Sequence, residues 1–236
     1  MWLDAGSSAA HAQSFLEVLS RERIASPAYV ALTHSHWDHV FGATELGATV
    51  IAHELTAESL AELAGTDWSD EGLDHRVAAG QVSPQHAANV KEELPSPRNV
   101  EVAPADIVFQ DGLDLDLGGV LVRVRHVGGD HNAESSVMYV EPDRVLFLGD
   151  SMYDSPTGVL TAELAFPLHR AILEFDADLY VDGHGESVLT RPEIEGLIEK
   201  MRLAESTVRV GSEIAAPDAD TEYFVQAFKA GRATAS

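Results

Sequence analysis

The segment Thr33-His34-Ser35-His36-Trp37-Asp38-His39 places three imidazoles and one carboxylate between His34 and His39. Clustered histidines beside an acid are costly to bury unless something ties them together, and a metal ion does so. The preceding Ala28-Tyr29-Val30-Ala31-Leu32-Thr33 is a short apolar run with aromatic and β-branched members, which reads as a buried strand. His34 and His36 are then i and i+2 at the end of an extended segment, so their rings project to one side. Asp38 and His39 follow where the chain turns into a short helix, which aims them at a second point. The spacing therefore predicts two metal ions rather than one.

Further candidates follow strand-like runs. His131 comes after the alternating run Val120 to Val127, Asp150 ends Val145-Leu146-Phe147-Leu148-Gly149, and His184 follows Tyr180-Val181 in Asp182-Gly183-His184-Gly185. Side chains from several loops converge at the carboxyl ends of strands on a rigid sheet. The chain has no cysteine, so disulfides and thiolate ligands are excluded and a metal must be held by nitrogen and oxygen. Such a donor set suits zinc, iron or manganese.

The order His-x-His-x-Asp-His, a distant His, a strand ending Gly-Asp, then Gly-His-Gly resembles the metallo-β-lactamase superfamily from about Leu3 to Glu186. The resemblance implies an α+β fold, a four-layer αββα sandwich. It also implies a ligand set: His34, His36 and His131 on one metal, Asp38, His39 and His184 on the other, Asp150 bridging both. The implied cofactors are two divalent ions, zinc first, with iron and manganese as the other candidates. A bridging aspartate is typical of the branch that resembles glyoxalase II, lactonases, ribonuclease Z and phosphodiesterases rather than the true β-lactamases.

Two departures stand out. Family members often carry Pro-Gly-His-Thr where this chain has Gly129-Asp130-His131-Asn132, so Asp130 either orients an imidazole or serves as a turn residue. Family members usually begin with one or two strands before the Asp-x-Gly turn, and here Asp4-Ala5-Gly6 follows three residues after the start. The leading strands are therefore expected either to be absent or to precede an internal Met1.

The chain's 236 residues suffice for one large domain, expected over 1–236. The formal net charge is −24, which repels polyanions, so nucleic acid is a poor partner and a small molecule the expected one. No run approaches a membrane span, and Met1-Trp2-Leu3-Asp4 lacks the basic and apolar parts of a leader. No membrane partner and a cytoplasmic location are therefore expected.

Periodicity predicts a helix over 8–24, a strand over 48–52 and strands within 100–127, with turns at Asp111-Gly112 and Gly118-Gly119. Two strands are expected within 135–150, a helix over 163–175, a strand over 179–181, a helix over 192–210 and a last short helix over 223–229. Glu54 to Arg98 reads as a helical insertion, either a lid in which Trp68 lines a substrate pocket or a peripheral decoration. His11, His53, His75, His86, His126 and His169 lack ligand spacing and are read as surface or hydrogen-bonded histidines. Tyr153 either bonds substrate or packs.

The expected function is a binuclear hydrolase acting on a small ester, thioester, lactone or phosphodiester through a metal-bridging hydroxide, with Asp38 and Asp150 as catalytic residues. The same ligands can hold two irons in a redox enzyme resembling persulfide dioxygenases. A metal-binding protein without turnover is the remaining alternative.

Overall fold

Parallel strands cannot be joined by a tight turn; each needs a crossover, usually helical. The first half of the chain follows this rule throughout. In the computed structural model, which describes residues 1–211 and 216–234, the chain divides into two compact units, Met1–Asp111 and Gly112–Ser236.

The first unit runs β1 (Trp2–Leu3), α1 (Ala9–Arg21), β2 (Tyr29–Ala31), α2 (Trp37–Val40), α3 (Ala43–Leu46), β3 (Thr49–His53), α4 (Glu54–Ala64), α5 (Asp70–Ala78), α6 (Pro84–Glu93) and β4 (Ile107–Phe109). Its sheet has the order β1-β2-β3-β4, all parallel, with helices in every crossover. The inner strands β2 and β3 read as near-continuous apolar runs and are buried along most of their length. Ser8 starts α1 by accepting a hydrogen bond from His11 N at 3.0 Å, and Ser69 and Ser83 cap α5 and α6 in the same way. Val30, Leu32, Val50, Leu60, Leu73 and Val90 form the buried core.

The second unit runs β5 (Gly112–Asp116), β6 (Leu121–His126), β7 (Ser136–Val140), β8 (Val145–Gly149), α7 (Ala162–Glu174), β9 (Leu179–Asp182), β10 (Leu189–Thr190), α8 (Arg191–Val210) and α9 (Ala219–Thr234). The sheet order is β10-β9-β8-β7-β6-β5. Strands β5 to β8 are antiparallel neighbours, β8 and β9 are parallel with α7 as the crossover, and β9 and β10 are antiparallel. The β5–β6 hairpin turns on Gly118 and Gly119, both with φ in the left-handed range, where Asp116 accepts from both amides. A capping box of Thr190 and Glu193 opens α8, and Gly211 at φ 66° closes it. Leu146, Leu148, Ile172, Tyr180, Ile194 and Met201 are fully buried.

The expected helices and strands are present, with three differences. Residues 100–106 are not a strand; pairing to β3 starts only at Ile107. The last helix spans Ala219–Thr234, well beyond 223–229, because Thr221, Phe224, Val225, Ala227 and Phe228 give it a buried face. Trp2 and Leu3 form a strand beside β2, too short to show a period in sequence. The segment 54–98 is helical as expected, in α4, α5 and α6.

Trp68, however, is not an apolar wall of a substrate pocket. It is 7% exposed, its ring meets Phe41 edge-on at 4.8 Å, and its Nε1 donates to Leu63 O at 3.2 Å. An indole with a satisfied N–H and an aromatic neighbour is a core residue.

Candidate metal centre

The motif Thr33–His39 occupies the β2–α2 connection of the first unit, and the turn at Asp4 locks it. Asp4 stands in left-handed backbone at φ 56°, which turns its carboxylate back across the chain. Its Oδ1 accepts from Thr33 N at 2.7 Å, and its Oδ2 from Thr33 Oγ1 at 2.8 Å. Oδ2 also lies 2.8 Å from His39 Nδ1. The backbone repeats the clamp, with Ala5 N donating to His39 O at 2.7 Å. Gly42 sits under this turn, where any Cβ would collide with Ala5 O.

These bonds assign tautomers. The single hydroxyl proton of Thr33 goes to Asp4, so the 2.9 Å contact between Thr33 Oγ1 and His34 Nδ1 needs its proton from the imidazole. His39 Nδ1 likewise donates to Asp4. Both rings therefore carry their lone pair on Nε2, the state a metal ligand requires. His34 and His39 are 1% and 4% exposed, and their ring centroids lie 4.2 Å apart, with His36 4.4 Å from His34. Asp38 Oδ2 is 3.8 Å from His39 Nε2.

The second unit supplies its candidates from three loops. His131 Nδ1 donates to Asp154 O at 2.9 Å, which again leaves the lone pair on Nε2. That nitrogen lies 3.3 Å from Asp150 Oδ2, and His184 Nε2 lies 3.1 Å from the same oxygen. With Nδ1–H already committed, His131 would point a lone pair at a carboxylate oxygen. A cation shared by these groups removes the repulsion. Donor atoms around one ion with bonds of about 2.0–2.1 Å are themselves about 3.3 Å apart, which is the spacing here.

The His184 loop is held from beneath. Asp182 Oδ1 accepts from His184 N at 3.0 Å, from Tyr153 OH at 3.0 Å and from Gly185 N. The Tyr153 ring stacks on His184 and stands edge-on to His131, with centroids 6.1 Å away in each case. Burial and the Asp182 charge push its phenol pKa well above the ordinary value. Tyr153 is thus committed to Asp182. Asp130 Oδ1 accepts from Thr161 N at 3.0 Å and from Thr161 Oγ1 at 2.8 Å, which ties the start of α7 rather than orienting an imidazole. Burial raises its pKa.

The described residues able to hold a metal ion are His34, His36, Asp38 and His39 in the first unit and His131, Asp150 and His184 in the second. The nitrogen and oxygen donors and the Nε2 tautomers fit divalent cations. Asp4 and Asp182 escaped the sequence reading as supporting carboxylates, because their partners are read only once the chain has folded; the Asp-x-Gly turn was the available signal for Asp4. His86 was read as a surface or hydrogen-bonded residue. Burial and then Arg76 lower its pKa against the opposing charge of Asp38, and its ring lies 6.4 Å from Trp37. The insertion therefore reaches the edge of the motif through α6. His53 caps α4 and His126 Nε2 donates to Ala133 O at 2.8 Å, the structural roles expected of them.

Solved structures share this fold. A metallo-β-lactamase from Pontibacter korlensis superposes with a TM-score of 0.58 at 17% identity, covering 83% of this chain and 79% of that one. The metallo-β-lactamase TMB-1 gives 0.57 at 20% identity over 85% and 80%. A double mutant of the sec-alkyl sulfatase PisA1 gives 0.63 at 20% identity, covering 87% of this chain and 37% of that one. No curated protein matches the sequence. The family model of the metallo-β-lactamase superfamily matches residues 3–195. Taken with the two sheets and the histidine–aspartate motifs, this match shows that the chain belongs to the metallo-β-lactamase superfamily.

Proposed function

We propose that the protein is a binuclear metal-dependent hydrolase of small ester-type substrates. His34, His36 and His131 would hold one ion, Asp38, His39 and His184 the other, and Asp150 both. The observation that carries this reading is the meeting of His131 Nε2 and His184 Nε2 on Asp150 Oδ2, at 3.3 and 3.1 Å, with His131 Nδ1–H already bonded elsewhere. Bound ions would supply Lewis acidity and a water of lowered pKa.

The chain's own residues do the rest. Asp4 and Thr33 fix the rings of His34 and His39 before any ion arrives, and Asp182 and Tyr153 fix the His184 loop, so little reorganisation remains. We assign proton uptake during bond cleavage to Asp38. The shared Asp150 favours an ester, thioester, lactone or phosphodiester over a β-lactam. Zinc is the proposed native metal.

A panel of thioesters, lactones, carboxyl esters, phosphodiesters, a secondary alkyl sulfate and a cephalosporin, assayed with zinc, manganese and iron, tests the reading. Turnover of one ester class, lost on chelation and restored by metal, is expected. Absence of hydrolysis in every loaded form contradicts it. Oxygen consumption by the iron form with a persulfide would support the redox alternative instead.

A further inference from the structure

The second unit contains a cavity of about 540 Å³ that none of the candidate metal ligands lines. Its floor is apolar, made by Leu148 of β8, Ile194, Leu197 and Met201 of α8, and Phe224 of α9. A volume of this size suits a small organic molecule. The charged groups in the lining are all acceptors, the carboxylates of Asp154, Asp182 and Asp220. Tyr223 OH donates to Asp154 at 2.6 Å and Tyr153 OH to Asp182 at 3.0 Å, so both hydroxyl protons are spent on the carboxylates. Among the described residues, the basic side chain paired with one of these acids is Lys200, 2.6 Å from Asp220.

We propose that this cavity is a second binding site, for a small molecule with an apolar body and a cationic amine head. The apolar floor removes the body from water, worth about 25 cal/mol per Å² of buried apolar surface. The head meets Asp154 and Asp182, which are half-buried and, among the described residues, have no lysine or arginine bonded to them. A carboxylate head would instead face the like charges of Asp154 and Asp182. The aminoalkyl class is selected by the sign of the rim, not by the chain's overall charge, since an acidic surface elsewhere is screened within about 10 Å. The metal ligands do not line the cavity, although Tyr153, Asp154 and Asp182, which do, also hold His131 and the His184 loop.

The matched probes 4-phenylbutylamine, 4-phenylbutanol and 4-phenylbutanoate separate the two halves of the proposal. Calorimetric titration of the full chain at pH 7 should give one saturable site for the amine, weaker binding of the alcohol by about tenfold, and none measurable for the acid. Ala219→Trp, at an exposed position on the rim, should weaken amine binding by at least about tenfold through occlusion while circular dichroism stays unchanged. Asp220→Asn gives a second, isosteric probe of the rim and should weaken the amine more than the alcohol. Equal binding of all three probes, tighter binding of the acid, no saturable binding of the amine, or wild-type affinity in a folded Ala219→Trp variant would each overturn the proposal.

Discussion

The two ligand-bearing regions are built on opposite plans. In the first unit the candidates lie in one continuous stretch, and one aspartate, Asp4, holds the backbone of Thr33, its hydroxyl and the imidazole of His39. In the second unit, His131, Asp150 and His184 come from three loops, with Asp182 supporting only the last. Exposure follows the same division. The side chain of His39 is 5% exposed, and that of His184 is 50% exposed. A buried ring with a fixed tautomer has lost its conformational entropy before an ion binds, whereas an exposed ring on a glycine-flanked loop still has to lose it. The first region is thus the preorganised half of the proposed centre and the second the adjustable half.

The comparison breaks most visibly at Asp150. Asp150→Ala removes the oxygen on which His131 and His184 converge, so kcat/KM on the best substrate should fall by at least about 10³-fold, with circular dichroism unchanged. An active variant would show that Asp150 is not shared.

Next in size is Asp4→Asn. Asparagine tolerates the left-handed backbone and keeps the bond from Thr33 N, but its amide replaces one carboxylate oxygen. Metal affinity measured by competition with a chelator should fall by about 10–100-fold. An unchanged affinity would mean that the first region needs no anchor.

Acid should separate the regions differently. His169 on α7 is 1% exposed, and burial, reinforced by Arg202, lowers its pKa from 6.5 to about 4. The folded value lies below the unfolded one, so the unfolded chain binds more protons below pH 6.5. Its contribution to stability is complete above that pH and is lost as pH falls towards 4, by up to about 1.4 kcal/mol per unit. Urea unfolding of the wild type should weaken more steeply between pH 6.5 and 4 than that of His169→Leu, and parallel curves would refute the assignment.

The smallest effect is expected from Tyr153→Phe, which deletes the bond to Asp182 and keeps the ring on His184. Loss of about 0.5–1.5 kcal/mol, read as a several-fold weaker hold on metal, should appear. An unchanged hold on metal would show that the Tyr153–Asp182 bond does not support the His184 loop.

The same contrast explains what the sequence disclosed. The ligand motif of the first unit is contiguous and follows an apolar strand, so its residue types and spacing were visible. His131, Asp150 and His184 could be proposed only from their positions after strands and from the family resemblance. The supporting carboxylates were hidden because their partners lie far along the chain: Asp4 is 29 residues from Thr33 and 35 from His39, and Tyr153 is 29 from Asp182. Trp68 misled because a segment of leucines, alanines and a tryptophan shortly after the metal motif reads as a pocket wall, whereas Phe41 at the end of α2 gives the indole a core partner. The long α9 was under-read because its first turn is polar and its buried face begins at Thr221.

The central claim is that these residues hold two metal ions with Asp150 in common, and elemental analysis of protein purified without chelator and reconstituted with zinc tests it most directly. The account predicts two equivalents per chain for the wild type. A reproducible value of one or fewer, under conditions where the protein is folded, would contradict it.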